Sequence, residues 1–134
     1  MRENHVVTCF LEHGGEVLVL KRSSRVGSYQ QRWAGISGYI EEGNTPLKQA
    51  LIELREEAGL QEDGVVLVKV GLPLEVVDEK LAVKWVVHPF RFRLEDRRKI
   101  ALDWEHTECR WVNPAEIRDM ETVPGLQEAW ERVQ

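Results

Sequence analysis

Three glutamates, Glu53, Glu56 and Glu57, stand at i, i+3 and i+4 in this 134-residue chain. On a helix, at about 100° per residue, that spacing gathers them on one flank. Two elementary rules disfavour the arrangement. Like charges three and four residues apart repel, by about 0.2–0.5 kcal/mol per pair. Gly59, a natural helix stop, also places them in the last turn, where the helix dipole presents its negative end. A helix built only for stability carries glutamates in its first turn, yet the first turn here carries Lys48. A solvated acidic face is the ordinary reading of such a cluster. Its position at the wrong end of the helix points instead to a bound cation, and clustered carboxylate oxygens suit Mg²⁺ or Mn²⁺ with water completing the shell.

The helix that carries these residues is well marked. Thr45 suits the N-cap and Pro46 the first helical position. Leu47, Ala50, Leu51, Leu54 and Ala58 recur at i, i+3, i+4, i+7 and i+11, which predicts an apolar stripe against a core. Upstream, residues 6–11 and 17–20 are apolar runs joined by Glu12-His13-Gly14-Gly15 and read as a hairpin. Residues 23–32 read as a polar loop and residues 33–40 as a short strand. Downstream, residues 65–77 return to a strand pattern broken at Gly71 and Pro73. Residues 81–94 read as a further strand that Pro89 confines to an edge or a bulge. A loop over 101–106, a short strand over 109–112 and two helices over 114–120 and 124–133 complete the order. Strands, helix, strands and helices in one chain predict an α+β or layered α/β/α fold, and the length predicts a single domain over residues 1–134.

Composition sets outer bounds. With 43% apolar and 31% charged residues the chain reads as globular. No apolar run approaches the roughly 20 residues that span a bilayer, and the first residues carry no signal-peptide pattern, so the expected location is cytoplasmic, with no membrane partner. A net charge of −5 argues against nucleic acid as a partner, while leaving room for a small phosphorylated ligand. Cys9 and Cys109 fall in no metal-ligand spacing and are expected to be buried free thiols.

Residues 38–60, G-Y-I-E-E-G-N-T-P-L-K-Q-A-L-I-E-L-R-E-E-A-G-L, resemble the Nudix box, G-x5-E-x7-R-E-U-x-E-E-x-G-U, where U is a bulky aliphatic residue. Gly38, Glu53, Leu54, Glu56, Glu57, Gly59 and Leu60 fall on it without a gap. The flanks are similar too, at Lys21-Arg22, at residues 33–43, at Glu105-His106 and at residues 110–112. Two positions depart. The family's first glutamate is Asn44 here, and its arginine is Ile52. In the family those two side chains pair, and the arginine helps orient the glutamate that follows it. Loss of one partner would strand a charge; loss of both strands neither, a compensated double change.

The resemblance implies a Nudix-type α/β/α sandwich around a central mixed β-sheet, and a hydrolase that cleaves a diphosphate bond with divalent cations. It implies Glu56 and Glu57 as metal ligands, Glu53 as ligand or water activator, and the Ser37 carbonyl as a further ligand. A late-loop glutamate is the expected additional ligand or general base, with Glu105 the first choice and Glu108 the second. Arg22 is a candidate for a phosphate, since a guanidinium forks well onto its oxygens; as a plain strand-end charge it would do nothing. Trp33, Tyr29 and Trp85 are candidates for stacking a nucleobase, although a strand tryptophan is more often core or cleft wall. His106 is expected to be packed or solvent-facing rather than a base, and Glu41 and Glu42 to be solvated turn residues. The substrates favoured are nucleoside triphosphates or dinucleoside polyphosphates, and relatives suggest a homodimer. The alternative is a degenerate Nudix domain that binds a nucleotide or protein without turnover, for which Asn44 and Ile52 speak.

Overall fold

The computed structural model describes residues 1–134. Its centre is a pair of long parallel strands, β1 (Arg2–His13) and β7 (Val83–Leu94), paired along their length from Arg2↔Val83 to Glu12↔Arg93. Each is flanked on its other edge by two shorter strands placed end to end. Beside β1 lie β2 (Glu16–Arg22), reached through the tight turn at Gly14 and Gly15, and β4 (Ile36–Tyr39). Beside β7 lie β5 (Val65–Val70) and β6 (Leu74–Asp78), both antiparallel to it. The short β3 (Trp33–Ala34) and the late β8 (His106–Val112) both pair with β2. The sheet is therefore mixed, as expected.

Alternation along the strands builds a core on each face. From β1, Val7, Cys9 and Leu11 point one way, with Phe90, Phe92 and Leu94 of β7, toward Ala50, Leu54 and Ala58 of the helix α1 (Pro46–Ala58). Phe10 points the other way, with Val87, toward Leu126, Ala129 and Trp130 of α2 (Leu126–Glu131). Period-two side chains on a sheet buried on both faces give this three-layer α/β/α sandwich. No helix is long and apolar enough to cross a membrane.

Three expectations need correction. Pro89 is on neither an edge nor a bulge: it lies within β7, between β1 and the β5–β6 side. Its carbonyl accepts from Gly71 N at 3.0 Å, so the proline nitrogen faces the same side, where the neighbouring chain breaks between β5 and β6. A missing N–H costs nothing opposite a gap in the ladder. Cys109 is exposed, unlike buried Cys9, because β8 is an edge strand whose only partner is β2. The segment expected as a helix from Pro114 is a 3₁₀ turn, Pro114–Asp119, capped by the Asn113 side chain.

The face that α1 buries also differs from the expected stripe. Ala50, Leu54 and Ala58 are buried, but Leu47 is 38% exposed. In its place Gln49, Glu53 and Glu57, at i, i+4 and i+8, go inside. One polar row runs along the buried side of an otherwise apolar face.

Candidate active site

Thr45 caps α1, its side chain accepting from Lys48 N, and Gly59 ends it in the left-handed conformation (φ 69°), with Gly59 N donating to the Arg55 carbonyl and Leu60 N to the Leu54 carbonyl. This end of the helix is also a docking point. Ala101 N donates to the Ala58 carbonyl at 2.9 Å, and Ser23 N donates to the Glu105 carbonyl at 2.7 Å. The 101–105 loop is thereby tied to the last turn of α1 on one side and to the end of β2 on the other. That double attachment brings Glu105 to Glu53 and Glu57 across about 50 residues of chain.

The result is an open cleft of about 490 Å³ with Glu41, Glu53, Glu56, Glu57, Asp103 and Glu105 in its wall, and no lysine or arginine. Glu57 is 3% exposed and Glu53 9%, whereas Glu56 is exposed. Burial, first, and then the hydrogen bond and charge of Glu53 push the Glu57 carboxyl far above its ordinary range; Glu105 and Asp103 add to this. Glu105 is raised as well, by desolvation and by the Asp103 carboxylate. Gly38, in β4, covers the Glu53 carboxyl so closely that a Cβ there would overlap it.

His106 closes the back of the cleft. Its ring is 1% exposed; Nδ1 donates to Asp103 at 3.2 Å, and Nε2 stands 3.5 Å from Glu57 Oε1. Desolvation holds its pKa below the usual histidine value. The ring is packed, as expected, but against the acidic cluster. Asp103 carried no sequence signal.

Glu105 and Glu108 separate cleanly. Glu105 shares the cleft with the helix glutamates, while Glu108 is half-exposed and faces Lys21 at 3.9 Å. Ser37 borders the cleft, held in register by Thr8↔Ser37 pairing. Arg22 sits opposite His106 in the β2·β8 ladder, at a register shift after Lys21. Its Nε donates to the Ser28 carbonyl at 3.0 Å, and no carboxylate pairs with it.

A second cavity, of about 170 Å³, opens beside the acidic cleft and shares Ser37, Gly38, Tyr39 and Glu105 with it. Arg22 stands in its wall. Apart from Thr8 and Ser28, the rest is apolar and aromatic, including Val6, Tyr29, Trp85, Val87 and Leu126. Trp85 packs between Tyr29 and Tyr39, with ring centroids 6.2 and 5.9 Å away. Trp85 Nε1 donates to Tyr29 Oη at 3.0 Å, which donates to Asp78 at 2.6 Å. Trp33 is not part of this wall. It is 8% exposed in the α2-side core, bonded by backbone to residues 121 and 123, with Arg110 over its ring at 4.7 Å. Its place in the aromatic wall falls to Tyr39, which the sequence reading did not select.

The acidic cleft suits a divalent cation in its chemistry. Glu57 Oε2 is buried with no hydrogen-bond partner, and the carboxyls of Glu53 and Glu105 stand beside the group. A buried carboxyl oxygen without a hydrogen-bond partner costs about 1–3 kcal/mol, and a hard cation that displaces the carboxyl proton is a partner that oxygen donors of this kind can take. The side chains do not already converge, three to one point, as a finished ligand set: Glu56 is turned to solvent, and Glu53 and Glu57 close on each other.

A mixed sheet between two helical layers, with a buried acidic helix end beside an aromatic cavity, agrees with the fold of the Nudix hydrolases, which act on phosphoric anhydride bonds. The chain belongs to this family: the NUDIX domain model matches residues 1–132. Solved structures agree on the fold. A MutT protein from Methanosarcina mazei superposes with a TM-score of 0.81 at 22% identity, covering 98% of this chain and 92% of that one. A NUDIX hydrolase from Nitrosomonas europaea gives 0.77 at 17%, covering 98% and 88%. An Ap4A hydrolase from C. elegans gives 0.77 at 15%, covering 98% and 94%.

Proposed function

We propose that this chain is a metal-dependent pyrophosphohydrolase that cleaves a diphosphate bond in a nucleoside diphosphate linked to another group, with nucleoside triphosphates and dinucleoside polyphosphates as the favoured substrates. The observation that carries the proposal is the junction of the two cavities. A buried carboxylate cluster with a donorless oxygen meets an aromatic cavity along Ser37, Gly38, Tyr39 and Glu105. A molecule with a polyphosphate at one end and a flat ring at the other has this layout. Among structures of the same fold, one is an Ap4A hydrolase, which is consistent with a dinucleoside substrate.

Glu53, Glu56, Glu57 and Glu105, with the Ser37 carbonyl, are the groups that would hold Mg²⁺ or Mn²⁺. When bound, such an ion neutralises phosphate charge and makes water a better nucleophile. The chain's own groups do the rest. Arg22, free of any carboxylate, offers its guanidinium to a phosphate from the wall of the aromatic cavity. Tyr29, Tyr39 and Trp85 hold the planar group, by π-faces that accept any base. Glu105, with its raised pKa and partial exposure, can take a proton from an attacking water. Buried His106 keeps water from the rear of the cluster.

Phosphate release from a panel of nucleoside triphosphates, dinucleoside polyphosphates and sugar nucleotides, with Mg²⁺ and with Mn²⁺, tests this. Cation-dependent turnover of one class that disappears in Glu57→Gln is the expected result. Tight nucleotide binding without turnover across the panel would replace the hydrolase by a binding module.

A further inference from the structure

The Nudix box places a glutamate at position 44 and an arginine at position 52, and this chain has Asn44 and Ile52 there. The structure holds a different arrangement around Glu53. Gln49 is fully buried. Its Nε2 donates to Glu53 Oε1 at 2.9 Å, one helical turn on. Its Oε1 accepts from Asn44 Nδ2 at 2.9 Å and from Glu41 N at 3.1 Å. These partners fix the amide in one orientation: two donors face its oxygen and a carboxylate faces its nitrogen. Ile52 lies on the outer side of α1, in a groove with Leu51 and Leu60.

We infer that Gln49 is the positioning residue for Glu53, and that Asn44 keeps the Gln49 amide facing the right way. The donor that the family takes from position 52 comes here from position 49, one turn before Glu53 on the buried side of the helix. The inference rests on the reading of the acidic cleft as a cation site.

Two physical points favour this over simple packing. A buried amide costs about 1–3 kcal/mol unless its hydrogen bonds are made, so a site that needed only volume is better filled by methionine or leucine. The relay is also terminated at both ends, by the backbone at Glu41 and by the carboxylate at Glu53, and Gly38 blocks the carboxylate from the far side. Glu53 is held between a donor and a backbone wall. Because the donor is neutral, it orients the carboxylate without cancelling its charge.

The test uses Mn²⁺ as the probe, with affinity read by the electron spin resonance of free Mn²⁺, on the full chain. Gln49→Met keeps the volume and removes the donor. Its Mn²⁺ affinity is expected to fall about 10–100-fold, the usual effect of losing the group that orients a ligand, with a melting point in the absence of cation close to that of the native chain. Asn44→Ala, at a half-exposed position, removes only the support of Gln49 and should give a smaller loss in the same direction. The decisive variant restores the box pattern: Asn44→Glu with Gln49→Ala and Ile52→Arg should recover most of the affinity that Gln49→Ala alone loses. A purely structural role cannot produce that rescue. Gln49→Met and Asn44→Ala both binding Mn²⁺ like the native chain would overturn the inference and leave the cleft reading intact. So would a triple variant no better than Gln49→Ala. A native chain that binds no Mn²⁺ overturns the cleft reading, and this inference with it.

Discussion

Gly38 lies against the carboxyl group of Glu53, from the neighbouring strand β4, with no room for even a methyl group between them. Its backbone is not in the left-handed region, so the need for glycine here is one of space alone. What a Gly38→Ala side chain meets is the tip of a flexible glutamate, which can swing away. The expected consequence is a split between stability and function. Unfolding by denaturant should show a loss of about 1 kcal/mol, at the low end for overpacking. Turnover should fall about 100-fold, the effect of displacing a reacting group by about 1 Å. Full activity in Gly38→Ala would remove Glu53 from the reaction.

Glu57 is a group the fold tolerates rather than needs. Its carboxyl is 3% exposed, one oxygen has no donor, and its nearest polar neighbours include Glu53 and Glu105. Glu57→Gln puts a neutral amide, able to donate to Glu53, where the native carboxyl must take up a proton to fold. In buffer with a chelator, the variant should melt higher than the native chain, with a gain of about 1 kcal/mol, or a few degrees for a domain of this size. Adding millimolar Mg²⁺ should raise the melting point of the native chain and not that of the variant. A variant that melts lower under chelation would mean that Glu57 contributes a structural contact, not a binding one.

How much of this was readable without coordinates depends on which interactions are local. Glu53 and Glu57 declared themselves because repulsion and the helix dipole act within one helix. The caps Thr45 and Gly59 did so for the same reason. Gln49 did not, although it is four residues from Glu53, because its burial reverses the expected stripe: Leu47 goes out and Gln49 in, a choice set by how α1 rolls on the sheet. Trp33 and Trp85 look alike in sequence, both aromatic and both on strands. Both face the α2 side of the sheet; Trp33 is sealed in the core there, while Trp85 is only partly covered and lines the cavity, a difference set by what the β1·β7 and β2·β3 registers place beside each. Tyr39 becomes visible only when β4 lies beside β1. Pro89 was misread because the rule against internal proline presumes an unbroken neighbour, and β7 has a broken one. Glu105 was separable from Glu108 only through the two backbone bonds that pin the 101–105 loop.

The raised carboxyls fix the direction of the pH dependence. Above the ordinary carboxylate range the unfolded chain has released the Glu57 proton and the folded chain has not. The folded state then binds more protons, so this group makes stability fall as pH rises. His106 acts with the opposite sign at the acid end: its folded pKa is lowered, the unfolded chain takes up a proton first, and stability falls as pH drops through the usual histidine range. Cation binding must expel the Glu57 proton, so Mn²⁺ affinity should climb steadily between about pH 6 and pH 9. Titrations at several pH values check this, and Glu57→Gln should flatten both the alkaline decline in melting temperature and the pH slope of whatever binding remains. A flat native profile would place the Glu57 proton elsewhere.

The aromatic wall should control binding without touching the chemical step. Tyr29 Oη links Asp78 to Trp85, donating to the first and accepting from the second. It thereby fastens the 23–32 loop to β6 and β7. Tyr29→Phe keeps the ring but leaves the Trp85 indole N–H without its acceptor and takes the Tyr29 donor from Asp78 Oδ2, while Asp78 Oδ1 keeps its bond from Leu81 N, a loss of about 1 kcal/mol in the order of the cavity. For a substrate whose base lies there in both ground and transition state, KM should rise about fivefold with kcat unchanged. Trp85→Ala should raise KM further, since base–aromatic stacking is worth about 1–3 kcal/mol per base. Glu105→Gln should do the reverse, lowering kcat at nearly constant KM. Steady-state kinetics on whichever nucleotide the panel selects separates the two patterns. A fall in kcat with unchanged KM in Tyr29→Phe would move the base out of this cavity and make Tyr29 a support for the acidic cleft, through the loop that also holds Arg22 and Ser28 together.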